Sequence, residues 1–124
     1  MQAETEVIPS EHESFKWLLE ALCDELVEVH GDPANEDASW IRVVTDSRIV
    51  RAGDVFVALS GERTDGHRYL LQAAESGAFC LVVEHVETGL NVPQLVVENS
   101  RRAYGLIARA WRRRFGIALT AVGG

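Results

Sequence analysis

The chain has 124 residues, 47% hydrophobic and 25% charged, with a formal net charge of -7 at pH 7. That length suggests one domain, able to bury roughly two-thirds of the surface of its unfolded chain without a disulfide or metal staple. The acidic balance argues against a general binder of nucleic acid or anionic membrane, and no apolar run approaches the roughly 18 residues of a membrane span. Met1 to Glu13 is acidic and lacks the apolar core of a signal peptide. It reads as a flexible leader. Cys23 and Cys80 lie far apart among apolar neighbours, read as reduced core residues, and fit a cytoplasmic protein. Eleven of the 12 basic residues are arginine, whose planar fork suits phosphate and carboxylate.

Ser10 with Glu13, or Ser14 alone, can start a first helix. Phe15, Leu18, Leu19, Leu22 and Leu26 recur at helical spacing behind it. A short strand is expected near Leu26–Val29, and Gly31-Asp32-Pro33 opens a polar loop that runs to Ser39. Trp40 to Val44 is rich in β-branched residues and reads as a strand. Val55 to Leu59 is a continuous apolar run, the pattern of a buried strand. From Gly66 to Ser76 the period turns helical, with Asp65 as its N-cap and Gly77 as its stop. Phe79 to Val83 and Gln94 to Val97 are further strands, separated by a turn near Gly89. Asn99 or Ser100 caps a last helix with the stripe Ala103, Leu106, Ile107, Ala110, Trp111 and Phe115. Ile117 to Val122 reads as one more strand. Strands alternating with helices predict a layered α/β domain.

Two polar loops flank the Val55 strand. The first is Thr45-Asp46-Ser47-Arg48 and the second Gly61-Glu62-Arg63-Thr64-Asp65-Gly66-His67. Together with Ala52-Gly53-Asp54-Val55-Phe56-Val57-Ala58-Leu59 and Pro93-Gln94-Leu95-Val96-Val97, they resemble the N-terminal, UDP-substrate-binding domain of the Mur ligases. These are ATP-dependent enzymes that build the peptidoglycan stem peptide. The resemblance covers about residues 40–124 and, more loosely, the helix from Ser14. The wording Gly-Glu-Arg-x-Asp-Gly-His is similar to the MurF branch, which joins D-alanyl-D-alanine to UDP-N-acetylmuramoyl-tripeptide. The MurE branch, which adds the third stem residue, is a near neighbour and stays open as an alternative.

The resemblance implies a small domain with a mixed sheet flanked by helices over residues 14–120. It makes 1–13 a leader outside the pattern and 121–124 the start of a cut ATP-binding domain. It also implies a cytoplasmic ligase of cell-wall biogenesis whose substrates are UDP-N-acetylmuramoyl-peptide, D-alanyl-D-alanine and ATP with magnesium. No cofactor, metal, nucleic acid or membrane insertion is expected for this segment, and alone it should catalyse nothing. Two positions depart from the pattern: Ala52 stands where a proline is usual, and Gly123 where a threonine is usual. A further reading is a non-catalytic interaction module using Trp40, Trp111 or the arginines of the last helix.

The resemblance places UDP contacts on Thr45, Ser47, Arg48, Glu62, Arg63 and Thr64. The Ser47 hydroxyl can donate to a uracil carbonyl or a phosphate, or can bond its own turn. Arg48 can pair with a diphosphate or with Asp46, a residue read as structural. Arg63 is the diphosphate candidate in the second loop. Glu62 would repel phosphate, so its role would be toward uracil or ribose donors. Asp65, Gly61 and Gly66 read as structural neighbours of the site. His12, His30, His67 and His85 show no metal-ligand spacing.

Overall fold

A computed structural model describes residues 8–31, 39–59 and 69–115. Along the chain these form β1 (Ile8–Ser14), α1 (Phe15–Ala21), β2 (Leu26–His30), β3 (Ser39–Val44) and a single 3-10 turn (Ser47–Ile49). They continue with β4 (Asp54–Val57), α2 (Leu70–Glu75), β5 (Cys80–Val83), β6 (Gln94–Val97) and α3 (Ser100–Phe115). The six strands make one sheet in the order β1-β3-β4-β5-β6-β2. The inner four are parallel, with Val43 opposite Val55, Phe56 opposite Leu81 and Val82 opposite Leu95. The outer two run antiparallel to their neighbours. The expected α/β class with a mixed, helix-flanked sheet is what the chain adopts.

The apolar runs explain the layering. Every residue of β4, β5 and β6 is buried, so these strands need cover on both faces. Side chains alternate along each strand. Val55, Val57, Cys80, Val82, Leu95 and Val97 pack with Phe15 and Leu18 of α1, with Leu22 just after it, and with Ala103 and Ile107 of α3. Phe56, Ala58, Leu81, Val83 and Val96 face the other way, onto Leu70 and Ala73 of α2 and onto Val50. Gln94 is the buried polar exception in β6. Its side-chain amide accepts from the Glu87 N–H and donates to the Glu87 carbonyl, both at 2.9 Å, and so ties down the loop before it. No described helix is long and apolar enough to cross a membrane.

The helix signals are met at α1, where the Ser14 hydroxyl accepts from the Trp17 N–H at 3.1 Å, and at α3, where the Asn99 side chain accepts from the Arg102 N–H at 2.9 Å. Gly77 ends α2 with φ +98, a conformation that disfavours any side chain.

Residues 8–13 correct the sequence reading: they are not a free leader but most of the edge strand β1, paired with β3. An edge strand tolerates charges and a proline because one side of it has no ladder to complete. Pro9 and Glu11 therefore do not exclude it. Cys23 is a second correction, being exposed while Cys80 is buried. The expected Asp65 cap, the strand at 117–122 and the domain boundary at 121–124 lie outside the described residues.

Candidate functional site

β3 and β4 are parallel neighbours, so both end at the same edge of the sheet. β3 delivers Thr45-Asp46-Ser47-Arg48 there. The nine residues 45–53 must then cross back along the sheet to begin β4. Such a short crossover contains no long helix, and it is held instead by one carboxylate. Asp54, the first residue of β4, is 1% exposed. It accepts from Arg42 Nε at 3.0 Å, from Arg42 Nη2 at 2.6 Å and from the Arg51 N–H at 2.9 Å. Arg42 Nη2 also donates to the Ile49 carbonyl at 2.9 Å. Asp54 holds the Arg42 guanidinium charged, raising its pKa against the opposing effect of burial. The ion pair thus fixes both ends of the turn that carries Ser47.

Within the turn, the Asp46 side chain accepts from the Arg48 N–H at 2.9 Å, from Arg48 Nε at 3.0 Å and from Arg48 Nη2 at 2.8 Å. The bonds from the Arg48 side chain draw the Asp46 pKa below its usual value, against partial burial. Asp46 and Arg48 are thus bonded to each other through both backbone and side chain. The Arg48 side chain remains 81% exposed. Ser47 is only 8% exposed, and its hydroxyl donates to Gln72 Oε1 of α2 at 3.3 Å. Neither its own turn nor a bulk-solvent position accounts for it. Thr45 is half-buried beside them.

Thr45, Asp46, Ser47 and Arg48 are therefore gathered at one edge. Gly61, Glu62, Arg63, Thr64, Asp65 and Gly66 lie outside the described residues. Sequence reasoning missed Arg42 and Gln72 and assigned no role to Asp54. The available signal for Asp54 was an acid placed directly before a wholly apolar run, where it must be buried and so must be paired.

Other features of the fold narrow the chemistry. The α3 N-terminus is already occupied: Glu84 accepts from the Ser100 N–H at 2.8 Å and from its hydroxyl at 3.0 Å, leaving that end of the helix unsuited to a phosphate. Trp40 is fully buried, with Nε1 donating to the Ser14 carbonyl at 3.0 Å, so it is not the exposed protein-contact residue of the interaction-module reading. Trp111 packs edge-on to Trp17, with ring centroids 6.2 Å apart. Arg102 of the last helix is committed to Glu25, with Nη2 3.0 Å from Oε2. The one lysine of the chain, Lys16, lies in α1, and no group of three possible metal ligands gathers among the described residues.

The family model described as "Mur ligase family, catalytic domain" matches residues 42–112, more than half of the chain. A UDP-N-acetylmuramoyl-tripeptide--D-alanyl-D-alanine ligase of Synechocystis sp. is 40% identical over 92 residues, which is 73% of this chain and 20% of that protein. A UDP-N-acetylmuramoyl-L-alanyl-D-glutamate--2,6-diaminopimelate ligase of Bradyrhizobium diazoefficiens is 43% identical over 77 residues, 62% of this chain and 16% of that protein. Among solved structures, MurF from Acinetobacter baumannii superposes with a TM-score of 0.73 at 31% identity, over 89% of this chain and 23% of that one. The chain thus spans about a fifth of the length of the curated relatives it matches. The clasped turn after β3 and the parallel sheet that carries it fall within the matched span, and the chain belongs to the Mur ligase family.

Proposed function

We propose that this chain anchors the uridine diphosphate end of a UDP-N-acetylmuramoyl-tripeptide for a MurF-like ligase that adds D-alanyl-D-alanine at the expense of ATP. The observation that carries the reading is the Ser47 turn. It is a polar segment at the end of two parallel strands, held by the buried Asp54–Arg42 pair and lying within the family match. Thr45, Ser47 and Arg48 form the first half of the proposed contact, and Glu62, Arg63 and Thr64 the second, with Arg63 toward the diphosphate. Relatives named for D-alanyl-D-alanine addition and the MurF superposition support the MurF branch. The 43% identity to a diaminopimelate ligase keeps the MurE branch as the second reading.

On this reading the chain works in the cytoplasm and performs no bond-making step itself. Chemistry belongs to parts of the ligase that carry ATP and magnesium. Holding the nucleotide end restricts where the distant carboxylate can go, so binding energy far from the reacting atoms serves their alignment.

Isothermal titration of the chain with UDP-N-acetylmuramoyl-tripeptide, with the dipeptide form and with UDP tests this. All three should bind with similar affinity, because only their common uridine end is gripped. A folded chain that binds none of them at millimolar concentration would overturn the proposal, as would tight binding that requires the peptide.

A further inference from the structure

Half of the chain's basic residues, six of 12, lie on α3, which carries no acid. Among its described residues, those exposed are Arg101, Arg102, Gly105, Arg109, Arg112 and Arg113. Helical geometry sets these within an arc of roughly 120° and along roughly 18 Å of one side of the helix. Ala103 and Ile107 point the other way, into the core. The outward side is therefore a line of guanidinium groups with no apolar side chain in it. A Cβ at Gly105 would meet nothing within 4 Å, so no neighbouring element overhangs the middle of the line. Arg102 is engaged by Glu25 and Glu98, whereas Arg109, Arg112 and Arg113 make no ion pair among the described residues. The helix dipole favours cations in the last turn, which accounts for Arg112 and Arg113 but not for Arg109.

We propose that the Arg109, Arg112 and Arg113 face of α3 rests on an anionic lipid surface, without entering it. A protein partner ordinarily buries an apolar core in its interface, and this face offers none. Single-stranded nucleic acid needs exposed aromatics to stack on, and the Trp111 ring is turned onto Trp17. What remains is charge alone along a convex rod. Lipid head groups suit that shape, because they diffuse in their leaflet and gather under fixed cations, and the arginine fork grips their phosphates. The chain's net charge of -7 does not forbid the contact. Charges more than about 8 Å from the surface are largely screened at physiological salt, and α2 and Val50 pack on the opposite face of the sheet from α3. Exposed Glu20 and Asp24 on the α1 side, and Glu98 beside Arg102, oppose the stripe, so the contact is weak and reversible. The Ser47 turn bonds to α2, so a chain resting on α3 leaves that turn open. The proposal goes beyond the uridine reading and does not depend on it.

The test sediments the full chain with vesicles of phosphatidylcholine alone and of phosphatidylcholine with phosphatidylglycerol. Each arginine near an anionic surface is worth about fivefold in partition. Wild type should therefore favour the anionic vesicles by at least about tenfold at low salt, and the preference should vanish near 1 M salt, where screening acts within about 3 Å. R109Q/R112Q/R113Q should remove it, while R109K/R112K/R113K should keep most of it. Glutamine is a good helix former, so the helix should survive. Circular dichroism checks that, and the salt arm on wild type needs no variant. A merely structural role in capping α3 would change the unfolding midpoint but not the difference between the two kinds of vesicle. Equal partition of wild type into both vesicles, or an anionic preference that the glutamine variant retains, overturns the proposal. So does stripe-dependent binding to duplex DNA or polyglutamate with none to the vesicles, which would assign the face to a nucleic acid or an acidic protein.

Discussion

Asp54 accepts three hydrogen bonds through one buried carboxylate, two from Arg42 and one from the Arg51 amide. Asp54→Asn keeps the volume but removes the charge and leaves Arg42 without its counter-ion. Removing one partner of a buried pair typically costs several kcal/mol. Arg42 retains 22% of its side-chain exposure, and some water can reach it to soften the loss. The expected cost is about 3 kcal/mol in urea unfolding. A loss below about 1 kcal/mol, the scale of an exposed pair, would show that the clasp does not hold the turn. Ser47 teaches a different lesson at this scale. Its identity as a polar residue in a site-bearing turn was legible from Thr45-Asp46-Ser47-Arg48. Its side-chain partner was not, because that is Gln72, 25 positions away.

Among the elements, the central strands and α3 were the most legible, since an unbroken apolar run or a helical stripe leaves few alternatives. β1 was the least, since Ile8-Pro9-Ser10-Glu11-His12-Glu13-Ser14 has no period to read and gains its place only from the free edge of β3. Turn glycines fall between these. Gly77 and Gly89 both have positive φ, +98 and +88. A Cβ on Gly77 would also lie 3.1 Å from the Ala52 Cα, in the turn before β4, whereas one on Gly89 would meet nothing within 4 Å. Backbone strain should therefore cost both alanine variants at least about 1 kcal/mol. Gly77→Ala should cost measurably more, because the Gly53 N–H bonds the Gly77 carbonyl at 3.2 Å and the two turns must separate. Comparison of thermal midpoints checks this, and equal shifts would place the whole effect in φ.

Across the whole molecule, helices on both faces leave the middle of the sheet inaccessible from either side. Cys80 lies there, on β5 between β4 and β6, and burial pushes its thiol pKa far above the ordinary range. Cys23 is at the surface. In native buffer one thiol, Cys23, should react with a maleimide within minutes. Cys80 should react only at the rate at which the molecule opens globally, and should become available across the same urea range that unfolds the sheet. Mass spectrometry of the labelled chain checks it, and rapid double labelling of the native protein would contradict the layered packing.

The sequence by itself determined the class of the fold, because burial of Val55–Ala58, Cys80–Val83 and Gln94–Val97 on two faces requires helices above and below. It also determined the family, through loop wording that composition could not supply. Tertiary structure alone decided that residues 8–13 join the sheet, that Asp54 clasps Arg42, and that Ser47 faces Gln72. Each of these depends on groups distant in the chain meeting at one point, and a one-dimensional pattern records the groups but not their meeting.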